Sequence, residues 1–200
     1  MIIFKWVWVT LLCIFSIGCN LQTGTNSCNL ASYSATPTSG KEVSIAHSTY
    51  GGSSIAQAFL LTTKGIPTQV TVHLQRIGTF VKGSHLLTLT IESDSGGAPS
   101  TLPLITSSLD PANVATKASF YSFTLTSAPE LNAAQVYWIR IKGSYAVNDT
   151  DYISWSAYDG LSGGYSVGTT TLGSVYENTL GIFSTALLGT FRFLVFSIGC

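Results

Sequence analysis

The sequence predicts an all-β fold, a single antiparallel β-sandwich of jelly-roll type, on three observations. Short segments alternate apolar and polar residues at period two, turn-forming Gly, Pro, Asn and Asp fall between them, and no helical periodicity is sustained after residue 18. Composition agrees: charged residues are 9% of the chain, against about 25% in an ordinary soluble domain. The surface is therefore hydroxyl-rich rather than ionic. Lys+Arg and Asp+Glu balance at 9 each, so there is no electrostatic footprint for nucleic acid.

Residues 1–18 carry one early cation, Lys5, then an apolar run from Trp6 to Ile17 and the small Gly18. A bilayer span needs roughly 20 apolar residues, so the run has the shape of an export signal. Ser16-Ile17-Gly18-Cys19 resembles a bacterial lipobox, with Ser16 where a Leu is usual. Cys19 is accordingly the expected lipidation site, and several acyl chains together make a durable anchor. Ser16 with Gly18 would also suit ordinary signal peptidase, leaving free secretion as the alternative.

Of the four cysteines, Cys13 leaves with the leader. If Cys19 carries lipid, Cys28 and Cys200 remain as an even pair in an oxidising compartment. A bridge between them would close nearly the whole chain and contribute about 4–5 kcal/mol in the chain-entropy model. Two free thiols are the alternative. Residues 19–41 are Ser/Thr/Asn/Gly-rich and aperiodic, and read as a flexible tether, with an edge strand around Leu30 to Tyr33 as the other reading. Residues 42–200 are the sandwich.

Within the sandwich, Ile55, Gln57, Phe59 and Leu61 share one face of the first strand. Gln57 there requires an internal partner, because a buried amide is costly unpaired. Val70, Val72 and Leu74 define the next strand. The clearest lies in Leu86 to Thr101, where Leu87, Leu89 and Ile91 alternate with Thr88, Thr90 and Glu92. Asp94-Ser95-Gly96-Gly97-Ala98-Pro99 then supplies an Asx acceptor, two residues free to take positive φ, and a Pro expected to end ladder pairing. Pro99 to Ala115 reads as mostly loop, with a short strand at Leu104 to Ser107. Tyr121, Phe123 and Leu125 form a strand closed by Pro129; Val136 to Lys142 puts Tyr137, Ile139 and Ile141 on one face and Trp138, Arg140 and Lys142 on the other. Ile153, Trp155 and Ala157 alternate in the next strand. A Gly-rich loop follows at Gly160 to Gly173, and Phe191, Phe193 and Val195 close the chain.

Two matches to G-x-S-x-G, centred on Ser162 and Ser166, lack a following helix, and His47, His73 and His85 all lie upstream, so both read as glycine-rich loop. The three scattered histidines lack zinc spacing, and His73, on the polar face of its strand, reads as an exposed strand histidine. The acids Glu92, Asp94, Glu130, Asp149, Asp151, Asp159 and Glu177 are not marked out as a glycosidase pair. Asn148-Asp149-Thr150-Asp151 clusters oxygen ligands, which makes Asp149 and Asp151 the candidates for calcium, with a plain polar turn as the alternative. If Ile139 faces the core, Trp138 faces outward or toward a second layer. Trp138, Arg140, Tyr145, Trp155, Tyr158 and Tyr165 are then candidate ligand-binding residues, rings with polar tips suited to sugar C–H faces; packing is the bland reading.

From Ile55 to Phe196 the order of features resembles the choice-of-anchor R domain of bacterial secreted proteins. The points of likeness are Gln57-Ala58-Phe59, Ile91-Glu92-Ser93-Asp94-Ser95-Gly96-Gly97-Ala98-Pro99, Val136-Tyr137-Trp138-Ile139, Tyr152-Ile153-Ser154-Trp155-Ser156 and Phe191-Arg192-Phe193. The resemblance implies an exported β-sandwich held to a cell envelope, with no catalytic residues and no proven ligand; apart from the calcium candidate no cofactor is expected. The expectation is a non-enzymatic lipoprotein of the outer membrane or cell surface, displaying its loops for adhesion or carbohydrate contact. A structural envelope component packing against other proteins is the second expectation, and a secreted glycan-active enzyme the third.

Overall fold

A computed structural model describes residues 27–33, 40–45, 52–145, 150–158, 165–167, 170–172, 174–178, 183–185, 190–191 and 193–198, with side chains described at Ile45, 54–145 and 150–156. Strands β1 Ser27–Tyr33, β2 Gly40–Ile45, β3 Gly52–Leu60, β4 Pro67–Ile77 and β5 Leu87–Asp94 come first. Strand β6 is Pro99–Leu109, followed by a 3-10 turn at Pro111–Asn113, then β7 Ser119–Thr124, β8 Val136–Gly143 and β9 Tyr152–Tyr158. The C-terminal strands are β10 Tyr165–Val167, β11 Thr170–Leu172, β12 Ser174–Asn178, β13 Phe183–Thr185, β14 Thr190–Phe191 and β15 Phe193–Ile198.

Among the described residues, these strands make a seven-stranded sheet, ordered β1-β15-β4-β9-β14 with β2 on β9 and β7 on β4, and a six-stranded sheet, ordered β13-β12-β3-β8-β5-β6; β10 and β11 pair with each other. The paired strands are antiparallel. The fold is all-β, and the connections β3 to β4, β4 to β5, β6 to β7, β7 to β8 and β8 to β9 each pass from one sheet to the other. Consecutive strands therefore face each other across a common core, as a sandwich requires.

The alternation read in the sequence sets what enters that core. Ile45, Val70, Val72, Leu74, Phe123, Ile153 and Trp155 come from the seven-stranded sheet; Ile55, Phe59, Leu87, Leu89, Ile91, Ile139 and Ile141 come from the other. Leu87, Leu89 and Ile91 share this one environment, as period two demands. Gln57 is fully buried on the same face, and its Nε2 donates to Ala58 O at 3.0 Å. At about 25 cal/mol per Å² of apolar area, the larger of these side chains each contribute about 2–3 kcal/mol.

Four segments depart from expectation. The stretch from Pro99, read as mostly loop, is an 11-residue strand. Its two prolines are tolerated because β6 is an edge strand, where a missing N–H need not cost a ladder bond. Register shifts at Ile91/Glu92 and Glu92/Asp94, with Thr101 at φ 64°, absorb the irregularity. Inside the segment 19–41 expected as tether, Ser27–Tyr33 is a strand paired with Phe193–Ile198, the edge-strand alternative extended. Gly40–Ile45, which showed too little alternation to read, pairs with β9. The Gly-rich loop contains the β10–β11 hairpin, and Ser166 lies opposite Thr171 within it, in a strand rather than at a strand-to-helix turn.

Candidate functional site

The outward face of the six-stranded sheet is where the predicted binding residues converge with polar ones. Register places Ala58, Trp138 and Glu92 in one row across β3, β8 and β5, and Ala56, Arg140 and Thr90 in the next. Two alanines give the indole room to lie over the sheet, and Ala56, Ala58 and Trp138 form a small cluster with Leu60 and Val136 at its margin. Trp138 is 3% exposed and its Nε1 donates to Asp94 Oδ1 at 2.7 Å. Asp94 Oδ2 accepts from Gly97 N at 3.3 Å, so the Asx turn inferred from sequence also holds the tryptophan.

Beside it, Glu92 is buried with both carboxylate oxygens engaged. Oε1 accepts from Thr90 Oγ1 at 2.8 Å and from Arg140 Nη1 at 3.3 Å, while Oε2 accepts from Thr101 N at 2.8 Å. The Arg140 Nε donates to Ser54 Oγ at 2.9 Å. With Glu92 fully enclosed and the Arg140 side chain 12% exposed, the pair is largely shielded from solvent screening. The network ties β3, β8, β5 and the irregular start of β6 together. It is a clamp on the sheet edge.

That edge is open. Ser144 N donates to Leu86 O and Leu86 N to Ser144 Oγ, each at 2.8 Å, so Leu86 turns its backbone toward the β8 side. Successive strand residues direct their N–H and C=O to opposite sides. Leu87, Leu89 and Ile91 therefore bond to their β6 partners Leu109, Ser107 and Ile105. Thr106 and Ser108 point their backbone groups off the sheet. Leu102 and Leu104 sit on the same strand, 76% and 39% exposed, and β6 carries no charged residue.

The other predicted site residues are placed elsewhere. Trp155, a binding candidate in the sequence, is instead fully buried in the core with Ile153; both follow the alternation of β9 inward. Tyr145 is also buried, with its ring against Gly143 and edge-on to Phe80 at 4.9 Å. Its hydroxyl donates to Ile45 O at 3.0 Å and accepts from Ile153 N at 3.1 Å, joining β2 to β9. Burial pushes this phenol well above its ordinary value. Trp138 is outward as expected but covered, so it offers no free ring face. Tyr158 and Tyr165 lie on β9 and β10 with side chains outside the described set; Cys19, Cys200 and Asp149 lie outside the described residues, and Cys28 sits in β1 opposite Ser197.

Asp151 Oδ1 accepts from Thr79 N at 2.7 Å and Oδ2 from Thr150 Oγ1 at 2.9 Å. The Thr79 amide first, then the Thr150 hydroxyl, hold its carboxyl below the ordinary value. Gly78, at φ 75°, brings its backbone so close that a Cβ would meet Asp151 and Thr150 O. Asp151 thus fastens a turn. Among the described residues, no group of three or more His, Cys, Asp or Glu is placed to hold a metal ion.

His73, read as an exposed strand histidine, is half-buried. Its Nδ1 lies 2.7 Å from Ser156 Oγ, and its ring meets Phe120 edge-on at 4.8 Å. Ser156 is 4% exposed, which withholds its hydroxyl from an incoming carbonyl.

Sequence reasoning missed Ser54 and the partnerships of Glu92 and Asp94. The signal was Glu92 on the polar face of a strand whose neighbour carries Arg140, and only register puts them side by side. No protein-family model matches the chain, and no curated protein matches it.

Proposed function

We infer that this is a non-enzymatic envelope protein, anchored through lipid on Cys19, that works by docking protein along the β6 edge of its sandwich. One observation carries the reading: an uncharged edge strand with outward-turned backbone groups and exposed Leu102 and Leu104, clamped from behind by Glu92 and Arg140. Open edges are templates for strand pairing, and exposed aliphatic side chains add apolar contact. Burial of Trp138, Tyr145 and Trp155 takes away three of the six residues that motivated carbohydrate contact. The choice-of-anchor R resemblance and the lipobox support export and anchoring.

A photo-crosslinking residue at Leu102 in intact cells is expected to give a discrete protein adduct, while one at Phe120, 46% exposed on the outward face of the seven-stranded sheet, gives none. Cys19→Ala should release the chain from the membrane fraction. Absence of any adduct at Leu102, together with retention on an envelope polysaccharide, would overturn docking in favour of glycan contact.

A further inference from the structure

We propose that the strand docking on β6 is β6 of a second copy of this chain, paired antiparallel about a two-fold axis at Thr106; this rests on the reading of β6 as a docking edge.

Among the described residues, no strand faces the outward backbone groups of Thr106 and Ser108. Leu104 to Leu109 has no proline and no charged residue, and from Ile105 on it pairs with β5 without a register shift. The half before it is guarded, with Pro99, Pro103, the positive-φ Thr101 and two register shifts that twist it away from a flat template. Only the second half is shaped to accept a strand.

In an antiparallel pair centred on Thr106, Thr106 faces its own equivalent and Leu104 faces Ser108. The outward N–H and C=O groups of Thr106 and Ser108 then meet carbonyls and amides across the axis, and Pro103 falls opposite Leu109, away from the central pairs. Asp110 stays outside the window, held by Ala112 N at 2.9 Å and Gly83 N at 2.7 Å.

Charge decides between occupants. A foreign strand is selected by pockets or charges flanking the edge, and Leu104 to Leu109 offers only Leu, Ile, Thr and Ser. Two copies meet with no like charges opposed, and a two-fold contact closes on itself instead of propagating. The outcome is one sheet continuous across two molecules.

The test uses the full chain in detergent micelles, with protein mass read by sedimentation. Wild type is expected at the mass of two chains. Thr106 is exposed, so its side chain can be changed without touching the core. Thr106→Lys and Thr106→Glu, each placing like charges across the axis, should each run as one chain, and mixing them in equal amounts should restore the pair. Thr106→Pro removes an outward N–H and no ladder bond, and should also give one chain with an unchanged near-UV spectrum. A wild type that stays monomeric, or a pair that persists in Thr106→Lys and Thr106→Pro, overturns the proposal. Adducts at Leu102 to a different protein alone would defeat self-pairing and leave edge docking standing; no adduct at all, together with retention on an envelope polysaccharide, would remove both.

Discussion

On the outward face of the six-stranded sheet a full charge pair, Glu92 with Arg140, is taken out of water, whereas the outward face of the seven-stranded sheet carries hydroxyl and imidazole contacts, Thr71 with Ser122 at 2.9 Å and His73 with Ser156 at 2.7 Å. Both faces read as polar in sequence, and both hold buried groups: Glu92 is 0% exposed, Ser156 4%. Burial is thus shared and its cost is not. A hydroxyl without its partner loses about 1 kcal/mol; an ionised group without its counter-charge loses several.

The largest effect should come from breaking the charged face. Arg140→Ala leaves Glu92 enclosed with an uncompensated charge, and is expected to lower unfolding stability by about 3–5 kcal/mol in chemical denaturation. Adding Glu92→Leu to Arg140→Ala should recover most of that loss, because the orphaned carboxylate is gone. Equal stability of the single and double variants would show that the pair is not the clamp. Crosslinking at Leu102 should weaken in Arg140→Ala, since Thr101 N on β6 donates to the carboxylate that Arg140 helps to hold.

The neutral face should respond less. Ser156→Ala removes one hydrogen bond to the His73 ring and is expected to cost about 1 kcal/mol, with no change in crosslinking at Leu102. A loss as large as that of Arg140→Ala would erase the contrast between the faces.

The smallest effect leaves both faces intact. Asp110, held by the Ala112 amide first and the Gly83 amide second, and Asp151, held by Thr79 and Thr150, each have a carboxyl lowered from 3.8. A depressed carboxyl contributes stability above its unfolded value that is lost as pH falls through its folded one. Acid titration below pH 3.8 should therefore loosen the turns at Gly83 and Thr79 in wild type. Asp151→Asn should flatten the part of that dependence belonging to Thr79, read by amide exchange; an unchanged profile would mean that another group sets it.

Period two was legible wherever one side of a strand met the core. Leu87, Leu89 and Ile91, then Tyr137, Ile139 and Ile141, fell on the predicted face because a one-residue slip would expose every one of them. The same logic put Trp138 outward. At β6 it found only Leu104 to Ser107 of a longer strand, since an edge strand with one side against solvent needs no strict alternation. It also missed β2, which is recognised by its ladder to β9 and not by its side chains.

The sequence by itself determined the all-β class, the inward residues of β3, β4, β5 and β8, and the turn that follows Asp94, because these depend on local backbone preference and on which side chains avoid water. Tertiary structure decided that Trp138 is covered, that Glu92 meets Arg140 rather than solvent, and that Pro99–Leu109 ends a sheet. Each of these depends on lateral register between strands 40 or more residues apart or on a strand's place in the sheet, and neither is encoded in the spacing within any one segment.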